Sequence, residues 1–216
     1  MFVLGSDWGL CGWDAPHAMN ISGGYDLPVG RGKMFLPNAS GVLNQVLGGW
    51  RINVIATALS GTPITVPCNI ATTTGSSCNA VLTGEPLYPE NRSFMNWLNG
   101  AAFANPAVAT SIGQADVAPL GGPPTQARGP RFRKVDLSIF KNFPINEDQR
   151  LEFRAEIFNL TNTPNFANPG FTGGVTLPPP PGVLDFSNTS NFGRIVQLRN
   201  GQNDQRQIQL ALKYYF

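Results

Sequence analysis

The chain has 216 residues, of which 13% are charged, and its formal net charge is +2. The charged fraction is about half of the roughly 25% typical of soluble domains. The hydrophobic fraction of 42% is slightly below the average for soluble domains, so the low charge is not explained by a larger hydrophobic core. With a small net charge and no basic runs, nothing in the sequence points to nucleic acid as a partner. The composition instead suits a protein whose exterior faces something other than water.

The first ten residues, MFVLGSDWGL, have no basic segment ahead of an apolar run, so we do not expect them to form a signal peptide. No stretch reaches the ~18 apolar residues of a transmembrane helix. We therefore expect that the chain either stays in the cytosol or is part of a longer protein.

Five segments alternate between apolar and polar residues with a period of two, as a β-strand with one apolar and one polar face does. The segment RLEFRAEIFNL is the clearest, because Leu151, Phe153 and Ile157 alternate with charged residues. The five strands are predicted near residues 17–28, 49–60, 133–142, 150–160 and 206–216.

The connections between these strands differ in length and composition. Between the first two strands, Asn38 or Ser40 is expected to cap a short helix that ends at the Gly48–Gly49 pair. A tight polar turn, FPINEDQ, joins the third and fourth strands. Two long loops, 61–130 and 161–192, are rich in turn-forming residues and show no lasting periodicity, which predicts irregular structure.

Strands of about ten residues with one apolar face, joined by short and long connections in turn, are typical of transmembrane β-barrels. A soluble β-sandwich also alternates, but the low charge, the loop asymmetry and the aromatic residues near strand ends favour the barrel. The aromatic residues at the predicted periplasmic ends are Tyr25, Trp50, Phe143, Tyr214 and Phe216.

Five strands are fewer than the eight of the smallest transmembrane barrels, and open strand edges in lipid would leave backbone groups unpaired. The predicted fold class is therefore all-β: an antiparallel transmembrane β-barrel segment with long extracellular loops. We expect residues 1–216 to be the C-terminal part of one larger barrel domain.

Several segments resemble the C-terminal part of TonB-dependent outer-membrane receptors, and most closely the Oar-like group that carries a carboxypeptidase-regulatory-like domain. The most specific of them is DLSIFKNF, followed by LEFRAEIFNLTNTPNF; GYDLPVGRGKMF, LGGWRINVIATALSGTPITV and FGRIVQLRNGQNDQRQIQLALKYYF also contribute. The resemblance implies a barrel of 22 strands, with an N-terminal plug and a TonB-binding box that are absent from this chain.

The resemblance also implies a function and a set of partners. The function is import of a bulky nutrient, such as a siderophore or an oligosaccharide, across the bacterial outer membrane, with the C-terminus in the periplasm. The implied partners are outer-membrane lipid, the missing N-terminal barrel and plug of the same protein, the TonB energy-coupling complex acting through that plug, and a small-molecule or glycan ligand. The alternative is a secreted or cell-surface β-rich module for binding or adhesion.

The last strand resembles the C-terminal signal that the outer-membrane assembly machinery engages in bacterial barrels. One face of this strand is apolar and ends on a terminal aromatic residue. The residues of the implied assembly signal are Ile208, Leu210, Leu212, Tyr214 and Phe216.

The polar face of the fourth strand carries alternating charges, Arg150, Glu152, Arg154 and Glu156. Such an alternation predicts a ladder of ion pairs facing the barrel lumen, where it would hold a plug. Simple solvation of these charges is the alternative, and acid–base catalysis by the two glutamates is disfavoured.

Cys68 and Cys78 close a short polar loop, which predicts a disulfide and an oxidising compartment. Two free thiols are the alternative, and Cys11 is left without an assigned partner. The longest loop carries four aromatic residues that are expected either to form part of an external ligand surface or to pack the loop: Tyr88, Phe94, Trp97 and Phe103.

His17 is the only histidine, with Asp14 nearby, and one histidine with scattered cysteines makes neither a metal cluster nor a catalytic triad. We therefore expect no metal site, no cofactor and no enzymatic activity.

Overall fold

The computed structural model describes residues 8–68, 79–106, 122–170, 192–199 and 204–216. The described residues form an all-β protein with a single short α-helix, as the sequence predicts. Within these ranges, no helix is long and apolar enough to cross a membrane.

The strands fall into a long class and a two-residue class. The long strands are β1 (Ala18–Asp26), β2 (Trp50–Leu59), β7 (Phe132–Pro144), β8 (Arg150–Phe158) and β9 (Gln207–Tyr215). The two-residue strands are β3 (Pro63–Ile64), β4 (Val81–Leu82), β5 (Phe103–Ala104) and β6 (Ala127–Arg128). The helix α1 covers Gly41–Leu47, and a 3-10 turn covers Gly100–Ala102.

The five long strands form one antiparallel sheet in the order β1-β2-β7-β8-β9. Each of them overlaps one of the five segments in which apolar and polar residues alternate. β1 and β9 are the edges of this sheet, and β2, β7 and β8 are paired on both sides.

The register of the sheet brings the apolar positions of all five strands to the same face. Ile139 pairs with Ile52 on one side and with Ala155 on the other, and the row continues to Tyr25 and Leu210. Directly paired residues of an antiparallel sheet point to the same side. We call this side the apolar face, and its large apolar side chains are Met19, Ile21, Tyr25, Trp50, Ile52, Val54, Val135, Leu137, Ile139, Phe143, Leu151, Phe153, Ile157, Ile208, Leu210, Leu212 and Tyr214. The opposite side is the polar face.

The chain divides into two compact units. The sheet unit comprises His17–Leu59, Phe132–Pro164 and Gln202–Phe216. The loop unit comprises Met1–Pro16, Ser60–Arg131 and Asn165–Gly201. The two predicted long loops therefore fall almost entirely within the loop unit.

The described part of the loop unit contains more regular structure than its sequence predicts. It contains the pairs β3–β6 and β4–β5 and a buried apolar cluster: Ile64, Val66, Ala80, Leu98, Ala102, Phe103 and Ala127. The expectation of irregular structure throughout 61–130 is wrong, because strands of two residues are too short to show any period. Their order comes instead from contacts between residues distant in the sequence.

The helix α1 lies in the connection between β1 and β2, where the sequence predicts it. Ser40 is at the N-cap position, but its side chain makes no capping hydrogen bond. The chain passes close to the sheet directly after the helix: a Cβ at Gly49, whose φ is +72°, would lie 2.7 Å from the carbonyl oxygen of Asn142. Glycine is required at this position both by the backbone conformation and by the close approach.

Candidate functional site

Most of the apolar face is not covered by other parts of the sheet unit. Ile208, Leu210 and Leu212 are each 65% exposed, and Ile21 is 57% exposed. Of the sheet-unit residues that the structure describes, Ala39 is the only buried hydrophobic residue. A sheet in water would bury its apolar face against a second layer, and a contiguous exposed apolar surface of this size marks an interface. This face therefore requires an apolar environment.

Aromatic side chains are concentrated at one end of the apolar face, the end that carries the β7–β8 turn. Tyr25, Trp50, Phe143 and Tyr214 all lie near this end, and the Phe216 ring stacks on Tyr214 with centroids 6.0 Å apart. The indole Nε1 of Trp50 donates a hydrogen bond to the carbonyl of Val46, 3.0 Å away. Rings that combine an apolar body with a polar group are typical of the boundary between membrane and water.

Lys141 is a cationic residue in the middle of this aromatic region, and sequence reasoning did not single it out. It lies on the apolar face between its partners Trp50 and Phe153, yet it is only 2% exposed. Its Nζ donates to the carbonyl of Gly48 at the end of α1 and lies 5.3 Å and 5.0 Å from the ring centroids of Trp50 and Phe143. The alternation of Val135, Leu137 and Ile139 in β7, continued by two residues, assigns Lys141 to the apolar face. The structure resolves the conflict between charge and apolar surroundings by giving the ammonium group a carbonyl and two aromatic faces.

Replacing Lys141 by methionine should release α1 without disrupting the sheet. Met keeps the apolar packing but leaves the Gly48 carbonyl without its charged donor, and such a bond contributes about 1.5–3 kcal/mol. We expect amide hydrogen exchange in Gly41–Leu47 to accelerate about tenfold or more, while β7 and β8 keep their protection. The matched control is Lys213→Met on the polar face, which should leave exchange in the helix unchanged. Unchanged exchange in Lys141→Met would show that this bond does not hold the helix.

The polar face carries charges that pair with one another. Glu152 accepts from Arg154, two residues along the same strand, and also from the hydroxyl of Tyr215 at 3.4 Å. On β7, Lys134 and Asp136 form a second pair with a separation of 2.9 Å. Of the predicted ladder, the structure pairs Glu152 with Arg154, and both ion pairs of this face are partly shielded from solvent.

Cationic groups of the polar face also stack on aromatic rings. The guanidinium of Arg150 lies 4.2 Å from the Tyr215 centroid, and that of Arg154 lies 5.1 Å from the Phe140 centroid. Glu156 is on the same face, opposite Ser138 and Gln209. That these charges hold a plug stays a prediction.

A pocket of about 440 Å³ opens on the sheet unit near the β7–β8 turn. Its lining includes the cationic residues Arg31, Lys33 and Arg150, together with Glu152. The side-chain oxygen of Asn142, another lining residue, is buried and has no hydrogen-bond partner within the described residues. The excess of positive charge makes this pocket suited to an anionic group.

The four aromatic residues predicted for the ligand surface have different environments. Phe103 is 2% exposed in the core of the loop unit and makes an edge contact with Phe192 at 5.9 Å. It therefore has the packing role that the sequence left open as the alternative. Phe94 is 51% exposed and stacks on Phe166 with centroids 5.9 Å apart.

Tyr88 and Trp97 are half-buried and meet at the backbone of Arg128. The Tyr88 hydroxyl and the Trp97 indole donate to the Arg128 carbonyl at 3.2 Å and 3.1 Å. The exposed guanidinium of Arg92 lies over both rings, 4.5 Å and 4.0 Å from their centroids. The surface of the loop unit here is an arginine on two aromatic rings, with Phe94 two residues further along the chain.

Arg128 also anchors the N-terminal segment of the loop unit. Its guanidinium forms a 2.7 Å ion pair with Asp14 and donates to the Gly61 carbonyl at 3.1 Å. In the sequence, Asp14 stands out only as a neighbour of His17. No sequence pattern could reveal this pair, because the two residues are far apart along the chain.

The structure describes two of the three cysteines. Cys68 is disulfide-bonded, and Cys11 is an exposed free thiol. Cys78 lies outside the described residues, so its pairing with Cys68 stays a prediction.

Comparison with known proteins identifies the family of the chain. No curated protein and no solved structure matches it. A family model described as "Outer membrane beta barrel domain" matches residues 2–209. The uncovered apolar face, the aromatic end and the polar opposite face are the features that a barrel wall requires. The chain belongs to the outer membrane β-barrel domain family, and it is a membrane-embedded protein of the outer membrane.

Proposed function

We propose that this chain is the C-terminal part of a TonB-dependent outer-membrane transporter that imports a bulky nutrient, such as a siderophore or an oligosaccharide, into the periplasm. The observation that carries this proposal is the charged polar face opposite the lipid-facing one. Paired charges such as Glu152 and Arg154 suit a lumen that holds water or a polar protein segment. The resemblance of the central segments to TonB-dependent receptors supports the finer assignment.

The proposed partners follow from the two faces and the two edges of the sheet. Lipid covers the apolar face, and a plug from the missing N-terminal part contacts the charges of the polar face and couples to TonB. Missing barrel strands pair with the free edges of β1 and β9. The assembly machinery engages β9, whose apolar side chains are exposed, and the C-terminus lies in the periplasm.

In the proposed transporter, the loop unit supplies part of the ligand surface. Tyr88 and Trp97 pack against the buried cluster and support Arg92, which with exposed Phe94 presents a cationic and an aromatic group to solvent. Aromatic rings stack on the apolar faces of sugars and of planar chelating groups, and arginine binds anions. This combination is compatible with either of the two proposed nutrient classes.

Uptake measurements in cells test the transport proposal. Labelled ferric siderophores and labelled oligosaccharides are offered to cells that produce the full-length protein, with and without functional TonB. We expect the protein to confer uptake of a member of this panel, and we expect that uptake to disappear without TonB. Protein-dependent entry of small solutes irrespective of TonB would instead indicate an open pore.

A binding or adhesion module at the cell surface is the second candidate function. It is favoured by one observation, namely that the loop unit has its own buried core and therefore presents a defined surface. The two functions separate in an uptake and adhesion assay on the same cells. Protein-dependent attachment to glycan-coated surfaces without any TonB-dependent uptake would favour adhesion over transport.

A further inference from the structure

The connection between β1 and β2 exposes an unusual number of large apolar side chains. The helix α1 buries none of its residues. The exposed fractions are 80% for Met34 and 79% for Val42, and the other exposed apolar residues of the connection are Phe35, Leu36, Leu43, Val46 and Leu47. A short helix in water would turn such residues inward, so their exposure requires an explanation.

The helix instead turns its polar residues toward the protein. Asn44 Oδ1 accepts a 2.7 Å hydrogen bond from the backbone amide of Arg31. Gln45 Nε2 donates to the carbonyl of Pro144 at the end of β7, 3.2 Å away. The two polar side chains of α1 therefore fasten it to the sheet unit, and its apolar side chains point away from these attachments.

The end of α1 also contacts the lipid-facing surface of the sheet. Trp50 and Lys141, both on the apolar face, donate to the carbonyls of Val46 and Gly48. The exposed apolar residues of the helix are thus continuous with the aromatic end of the apolar face. Lipid covers that face in a membrane-embedded protein, so lipid is also the nearest medium for the helix.

We propose that the segment Met34–Leu47 is an interfacial element that inserts its apolar side chains into the boundary between headgroups and acyl chains of the outer membrane. The segment contains no charged residue, so none of its side chains opposes entry into the apolar part of that boundary. The wall of the barrel therefore contacts lipid through this connection as well as through its strands.

A nitroxide spin label at Val42 tests the proposal. The full-length protein carries Cys11→Ser and Val42→Cys and is reconstituted in vesicles of phosphatidylethanolamine and phosphatidylglycerol. The matched control is Glu147→Cys, an exposed position in the β7–β8 turn at the same end of the sheet. Protein with Cys11→Ser alone should take up no label, which confirms that the signal comes from the introduced cysteine.

We expect the Val42 label to be accessible to oxygen and shielded from a water-soluble nickel chelate, and the Glu147 label to show the reverse. The same accessibilities at both sites, with free access of the chelate, would overturn the proposal. Shielding of Val42 from both reagents would also overturn it, because that result indicates cover by protein, either a partner or a second copy. Leu43→Cys repeats the measurement in case the Val42 variant does not fold.

Discussion

Leu210→Arg is expected to cost about 2–4 kcal/mol of folding free energy in a membrane, the usual cost of an arginine near the middle of a lipid-facing strand. Leu210 pairs with Ala155 and lies between the aromatic end and the opposite end of the apolar face. Its side chain is 65% exposed. The cost arises because the charged group loses its hydration in hydrocarbon. Equilibrium unfolding from lipid vesicles by denaturant measures it directly.

The matched control is Gln209→Arg, one position earlier on the same strand. Gln209 is paired with Glu156 on the polar face, so its replacement should change the unfolding free energy by less than about 0.5 kcal/mol, as for a typical surface substitution. Equal costs at the two positions would mean that the apolar face does not contact lipid. Such a result would remove the physical basis for assigning the two faces.

Phe103→Ala should have the largest effect on the loop unit, about 3–5 kcal/mol against local unfolding. Phe103 is 2% exposed and is among the largest fully buried side chains of the described protein. Its removal takes away apolar burial and leaves a cavity among Leu98, Ala102 and their neighbours. The measurement is the rate at which a protease cleaves the loop unit while the protein stays in its membrane.

Phe94→Ala is the control, because Phe94 is aromatic, lies in the same loop and is 51% exposed. We expect its cleavage rate to stay close to that of the unchanged protein. If Phe103→Ala were equally resistant, the buried cluster would not hold the loop unit together. Loss of the sheet in Phe103→Ala would instead show that the loop unit is needed for the barrel wall to form.

The sheet was predictable because each of its strands faces two different media. In β8, Leu151 and Phe153 are suited to the apolar medium, and Glu152 and Arg154 between and beside them are suited to the polar one. The same alternation in four other segments fixes which residues can pair, since a register shift of one would bring charges to the apolar face. For the same reason, the sequence alone assigns the charges of the ladder on β8 to the polar face.

The loop unit was not predictable in this way. Whether Phe103 or Phe94 is buried depends on contacts with Phe192 and Phe166, which lie far away in the sequence. The ion pair between Arg128 and Asp14 likewise joins residues that lie far apart in the sequence. Lys141 was missed for a different reason: period-two reasoning assigns a face to each residue but does not reveal that a charge can be satisfied there by a carbonyl and two rings.

The pairing of β3 with β6 has a consequence for the order in which the chain folds. β2 and β7 are neighbours in the sheet, yet residues 60–131 separate them, and closing so long a loop carries an entropic cost. Once Pro63 pairs with Arg128, only a few residues remain on each side before β2 ends and β7 begins. The length of the loop that must be closed is thereby halved about three times. Because each halving lowers the entropic cost of closure, the total saving is roughly 2 kcal/mol. Early collapse of the loop unit would therefore speed the zipping of the central hairpin of the wall.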